Sequence, residues 1–404
     1  MADTEKKAGD DLALLKSTVE TIKNLILQLQ ASAKAPEDVK EGSSTEKKEP
    51  KHADVNAIDL AHDSASLIKA HSTKLSLLII NKPFTPSAIS KVLRELVSGP
   101  LPGLASAVEI CHAAKYTKAM SEELQWRVNK VLTELSTLIK AIPLDGNILS
   151  DDKKNGTGKS SGKGSLASTG VVWDACDSVM GLKTLGVAGL AMKKAVEYRD
   201  LVKDALEELQ AWAEEESDDE DEGENSGDED DEKKDPQDIV DDLFGSQPHI
   251  PKDDPEKIRE KLESSTKRLR LIILMYQAVE KRRFKTLPYL PHPEIPTQLK
   301  EKSSEDPGIV ECLDEVLVRM KKITNLTDDL ASAFYDLDSS AIDKLMDETW
   351  FTGFATVELL IKNWEGQKDD FTTWVRIVQH LVSNHLLIVL GIQISAGYEK
   401  GVVV

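Results

Sequence analysis

Cysteine is scarce in this 404-residue chain: Cys111, Cys176 and Cys312 are far apart and odd in number. That argues against a disulfide framework and against a Cys-based zinc site. It fits three buried or half-buried free thiols in a reducing compartment. Aromatic residues are only 5% of the chain, while Leu, Ala, Lys, Glu and Val dominate, so helix is favoured over sheet. No strand-like alternation bounded by hairpin turns is found. The opening MADTEKKAGDDL has no apolar signal core, so secretion is not expected, and the glycosylation patterns at Asn155 and Asn325 are chance matches. A charge-free run long enough to span a bilayer occurs at Ile377–Tyr398, 22 residues. Gln379, His380, Ser383, Asn384 and His385 in its first half are costly in hydrocarbon, so it reads as a buried bundle helix and not as a membrane segment.

Catalytic chemistry is missing as well. Gly158-Lys159-Ser160 resembles the end of a phosphate loop, but Lys153 stands where its first glycine is required and no strand precedes it. Gly181, Gly186 and Gly189 are spaced wrongly for a dinucleotide fingerprint and mark a break or a close helix contact instead. His380 and His385 are five apart, not the four that aligns two metal ligands on one helix face. No Ser, Cys or Lys stands in a nucleophile setting. The expectation is a protein without catalytic residues, cofactor or metal.

What the chain has in excess is acid, and it is local. Glu214–Glu232 holds 14 acidic residues in 19, with no Lys or Arg. Removing those fourteen charges from the net −20 leaves −6 for everything else. Such a stretch has no apolar side chains to bury, so it is expected to be a disordered linker between two halves. On either side the apolar spacing is helical. The resulting fold class is all-α, two helical bundles of four to five helices each. Residues 1–53 hold an amphipathic helix and a polar linker, 54–213 the first bundle with a flexible loop at 144–168, 214–235 the acidic tract, 236–392 the second bundle, and 393–404 a tail. Expected helix starts are Asp54, Thr85-Pro86, Asp254-Pro255 and Asp306-Pro307; Pro83, Gly99-Pro100 and the four prolines of Thr286–Pro296 are stops or connectors.

Three features can carry binding. Leu12, Leu15, Val19, Ile22, Ile26 and Leu29 are spaced 3, 4, 3, 4 and 3, a heptad seam. It is either one more core helix or a detachable helix that pairs with a partner. The acidic tract either serves solubility or attracts basic proteins, with a steep salt dependence. Ser217 and Ser226 each have an acid three residues on, Glu220 and Glu229, the pattern of acidophilic kinases. Basic clusters, Lys267, Arg268 and Arg270, then Lys281, Arg282, Arg283 and Lys285, read as a solvated face and a helix C-terminus, with nuclear import as the alternative. No basic surface for direct nucleic-acid binding stands out.

The segments VVWDACDSVMGL and KKAVEYRDLVKDALEELQAWAEEE, then DDLFG, KRLRLIILMYQAVEKR, LDEVLVRMKKITNLTDDLASAFYDL and DDFTTWVRIVQHLV, resemble in order the cyclin-D-binding (GCIP-type) family over roughly residues 50 to 385. The resemblance implies an all-helical, non-catalytic regulator of cell-cycle progression and transcription, in nucleus and cytoplasm, binding cyclins and helix-loop-helix proteins. Trp173 and Cys176 match the family's sharpest motif; three apart on a helix, they are expected to share one buried packing face. A loop at 144–168 longer than the resemblance leads one to expect and the non-helical ending GIQISAGYEKGVVV depart from the pattern. Other classes left open are a vinculin- or catenin-like cytoskeletal adaptor and an acidic-tract chaperone for basic proteins.

Overall fold

The computed structural model describes residues 2–32, 55–156, 164–214, 250–251, 253–291 and 308–377, all of whose regular structure is helical. In chain order the helices are α1 (Ala2–Ser32), α2 (Ala57–Ile80), α3 (Pro86–Ser98), α4 (Pro100–Ile110), α5 (Ala113–Tyr116), α6 (Lys118–Lys140), α7 (Asp151–Asn155), α8 (Ser165–Glu214), α9 (Ile258–Arg282), α10 (Ile309–Tyr335) and α11 (Ser339–Leu359). Residues 370–377 are helical again. Helical regions thus lie on both sides of residues 215–249, which fall outside the described residues, as do Gly158–Ser160, His380, His385 and the tail.

Contacts divide the chain into two units, Met1–Leu190 with Tyr289–Lys302, and Ala191–Pro288 with Ser303–Val404. The division falls inside α8, not at the acidic tract. The span Ser165–Glu214 is two helical stretches joined at Gly186, and its two ends belong to different units. Gly186 interrupts it at φ 61°, ψ −178°, a conformation open essentially to glycine alone. Of the two roles expected for Gly181, Gly186 and Gly189, a break is the one Gly186 has.

In the first unit, α1 packs on α3 and α6, α2 on α3 and α4, and α4 on α6. The expected four to five helices is too few here, because local stop signals cut the chain finely. Pro86 and Pro100 each take a first-turn position, with Gly99 between their helices. Thr117, at φ 83°, starts α6 by accepting the Met120 N–H on its hydroxyl. The cap of α2 is Asn56 and not Asp54: its side chain accepts from the N–H groups of Ile58 and Asp59. Near the end of α2, Ile79 is buried and Leu78 only half-buried. Between the helices, the Tyr116 hydroxyl accepts from the Ala57 N–H at 2.8 Å, and the Gln30 side chain donates to Thr133 Oγ1 at 2.9 Å.

The second unit holds the later part of α8 with α9, α10, α11 and the 370–377 segment. The Asp254 carboxylate accepts from the N–H groups of Ile258 and Arg259 and so opens α9 as expected. Ile258, Leu262, Leu269, Ile272, Tyr276 and Val279, at helical spacing, are all buried. The Tyr276 hydroxyl donates to Met320 O at 2.7 Å, and Trp212 meets Tyr335 edge-on at 5.4 Å.

One member of the basic clusters is misplaced by the sequence reading. Lys281, Arg282 and Lys285 are exposed, but Arg283 is fully buried. Its guanidinium grips Asp369 through two bonds of 2.7 and 2.9 Å, donates to Leu360 O at 2.8 Å, and lies 4.3 Å from the Phe371 ring centroid. Asp369 in turn accepts from the N–H groups of Phe371 and Thr372 and caps the 370–377 segment.

Candidate interaction surfaces

The heptad seam faces inward. Leu15, Val19, Ile22 and Ile26 are at most 1% exposed, Leu12 and Leu29 are half-buried at the ends, and the helix lies on α3 and α6. Of the two readings of this helix, the docked one is the arrangement seen. Ser217 and Ser226 lie outside the described residues.

The three thiols are buried in separate places. Burial pushes Cys111 and Cys176 up to about 12 and raises Cys312 as well. At pH 8 iodoacetamide should therefore modify Cys111 and Cys176 about 10³-fold more slowly in the folded chain than in the unfolded one. Native-state labelling of Cys176 at the rate of a free thiol would show that the early part of α8 does not pack as described.

That early part of α8 carries the most distinctive surface. Val172, Ala175, Cys176 and Val179 form its buried stripe. Trp173 does not share it: at 38% exposure it is turned toward solvent, whereas Cys176 is wholly buried. The expected common packing face is therefore corrected. The buried stripe is centred near Val172, and one step along a helix turns about 100°, which carries Trp173 to its margin.

α8 runs antiparallel to α2 on one edge and to α6 on the other. On the α2 edge, Lys69 pairs with Asp177 at 2.6 Å and Lys183 with Asp59 at 2.9 Å. On the α6 edge, Arg127 donates to Ser178 O and Lys130 lies 3.5 Å from Asp174. Leu166 and Trp173, two turns apart, share an exposed line of α8 with the paired Asp177. Leu77 of α2 lies eight residues past Lys69, about 12 Å along the axis and about 80° further round the helix, away from α8. Leu77 is 52% exposed and Leu166 47%. On the opposite edge stands Trp126, 60% exposed, with the Lys130 ammonium 5.9 Å from its ring centroid. The outward side of α8 is thus bordered by exposed Leu166 and Trp173 on one edge and by Trp126 on the other.

Aromatic and aliphatic side chains held at helix edges between fixed ion pairs are the makings of a protein contact. Among the described residues no three His, Cys, Asp or Glu side chains gather as metal ligands, and no helix is long and apolar enough to cross a membrane.

This surface lies inside the segment that comparison singles out. Residues 61–215, about two-fifths of the chain, match the family model described as Grap2 and cyclin-D-interacting, N-terminal. The match ends as the acidic tract begins and leaves α1 with its seam outside. An uncharacterized protein of Schizosaccharomyces pombe is 25% identical over 158 residues, 39% of this chain and 44% of its own. The aligned part thus spans less than half of that relative. At family level the domain match supports a role in protein interaction.

Sequence reasoning flagged Trp173 but assigned it to the core, and it passed over Trp126, Leu77 and Leu166. Their signal was available in part. Leu77 precedes the buried Ile79, and Trp126 lies between Leu124 and Val128 of the core stripe, so helical phase alone turns both outward.

Proposed function

We propose that the chain is a non-catalytic, protein-binding regulator of cell-cycle progression and transcription, acting in nucleus and cytoplasm. It takes cyclin-like and helix-loop-helix proteins as partners through the edges of α8. The observation that carries this reading is the exposed Leu166–Trp173 line of α8 within residues 61–215, the segment matching the cyclin-D-interacting domain. Rigid aromatic side chains of this kind supply most of the energy at protein interfaces. Affinity co-purification of the full chain at physiological salt tests the partner class. Recovery of a cyclin or a helix-loop-helix factor supports the reading. Recovery of cytoskeletal proteins alone overturns it in favour of an adaptor.

The acidic tract supports a second contribution, steering of basic partners, with Ser217 and Ser226 as phosphorylation sites that deepen its charge. Histone binding that falls steeply with salt and disappears on deletion of residues 214–232 is the expected outcome. Binding indifferent to that deletion removes the tract from the account.

A further inference from the structure

In the second unit α8 and α10 end at the same corner. Tyr198 of α8 stands near Tyr276, whose hydroxyl donates to Met320 O of α10. Further along, Trp212 in the last turn of α8 meets Tyr335, the last residue of α10, edge-on at 5.4 Å with 73° between the ring planes. The two helices therefore run side by side in the same direction, and both C-terminal ends lie together. Each end is the negative pole of its backbone dipoles, and neither has a basic residue in its last turn. The side chains add to that charge. Glu208, one turn before Trp212, lies beside the Tyr335 hydroxyl; burial and then this carboxylate push the hydroxyl up to about 12. Two turns before Tyr335, burial and then the charges of Asp329 and Glu208 raise Asp328 above the ordinary carboxylate range. Glu214, just past Trp212, opens the run of 14 acidic residues in 19.

The aromatic contact that holds this corner is closely balanced. Trp212 is only 6% exposed, and covering its ring favours the closed arrangement. Its indole N–H and the Tyr335 hydroxyl, however, are both buried without a hydrogen-bond partner, and the carboxylate of Glu208 closes no bond onto that hydroxyl. Both groups would find partners in water if the rings separated. Separation would also draw Glu208 away from Asp328. We propose that residues 209–214 of α8 are a charge-gated latch: Trp212 on Tyr335 holds them to α10, and the carboxylates of Glu208 and Asp328, with the acidic tract behind them, push them off. Neutralising the corner, by salt or by a basic segment laid against it, closes the latch, and further negative charge opens it. The charge state of the tract is thereby felt by the folded unit next to it.

Hydrogen–deuterium exchange of the full chain, followed by mass spectrometry, tests this. Between about 50 mM and about 500 mM NaCl the amides of 209–214 should become at least about 3-fold better protected, while those in the middle of α10 change by less. A short lysine oligomer at the lower salt should act in the same direction. Glu208→Gln combined with Asp328→Asn removes two charges from exposed positions and keeps their shape. That variant should be protected at low salt almost as well as the parent chain is at high salt, and most of the salt response should be lost. Trp212→Ala should free 209–214 at either salt and leave the middle of α10 protected. Should Trp212→Ala unfold the unit, the charge variant decides, since it leaves the aromatic pair in place. Protection of 209–214 that ignores salt in the parent chain, or a salt response unchanged in the Glu208→Gln/Asp328→Asn variant, overturns the proposal. Protection that survives Trp212→Ala overturns it as well, because the aromatic contact is then not what holds the helix end.

Discussion

Arg283→Ala should destabilise the second unit by about 1–3 kcal/mol, the cost of leaving a buried hydrogen-bonding group without its partner, since Arg283 is buried but Asp369 is about a third exposed. The size follows from how much converges on this side chain. It is fully buried, holds Asp369 through two bonds, and donates to Leu360 O at the C-terminal end of α11. Its own backbone carbonyl accepts from the Trp364 indole at 2.7 Å. Truncation leaves the Leu360 carbonyl without its side-chain donor, takes the cation from Asp369, which keeps its bonds from the Phe371 and Thr372 N–H groups, and removes the cation from above the Phe371 ring. Arg283→Lys recovers only part of the loss, since an ammonium cannot serve the carboxylate and the carbonyl with the same planar fork.

The pair also sets a pH dependence. The bonds from Arg283, ahead of those from Thr372, hold Asp369 down to about 2 from the ordinary 3.8. A carboxyl depressed on folding stabilises the fold above its unfolded value, and that stability disappears as pH falls from about 4 to about 2. Urea midpoints measured by tryptophan fluorescence between pH 5 and pH 2 should therefore decline in the parent chain. Arg283→Ala should lose most of the part of that decline due to Asp369. A variant as stable as the parent at pH 7 contradicts the assignment.

Leu15→Asp combined with Ile22→Asp should have an effect of similar or greater size in the first unit. Both residues are wholly buried, and each substitution places a carboxylate where α1 meets α3 and α6. Loss of a buried Leu or Ile costs about 2–5 kcal/mol before the buried charge is counted. Against a typical domain stability of about 5–15 kcal/mol, α1 undocks or the unit unfolds. Leu27→Asp, on the same helix but 63% exposed, should change stability by less than about 0.5 kcal/mol. Thermal unfolding of the three proteins reads the difference directly. An unchanged midpoint in the double variant would mean that the seam is not core and that α1 is free to pair with a partner.

The seam was legible because a 3–4 spacing of Leu, Val and Ile has only one physical use, a buried helix face; what spacing cannot say is whose helices bury it. The proline-led starts of α3 and α4 were legible for a similar reason, since proline at a first turn is locally determined. Long-range pairing was not. Lys281-Arg282-Arg283 reads as a solvated cluster because nothing nearby reveals an aspartate 86 residues later. The division inside α8 was hidden by the acidic tract, whose charge marks a boundary of composition, whereas the boundary of packing falls near the break at Gly186. Trp173 was misassigned because three-residue spacing places a side chain near a buried face without placing it on that face.

The central claim is that the exposed edges of α8 carry partner binding, and titration calorimetry tests it most directly. The purified full chain, its Trp173→Ala/Leu166→Ala variant and its Trp126→Ala variant would each be titrated with a D-type cyclin and with a helix-loop-helix domain, after circular dichroism confirms unchanged folding. The account predicts binding by the parent chain and an affinity at least about 10-fold weaker, roughly 1.4 kcal/mol, for at least one variant. Unchanged affinity in both variants, or no binding of either partner by the parent chain, would contradict it.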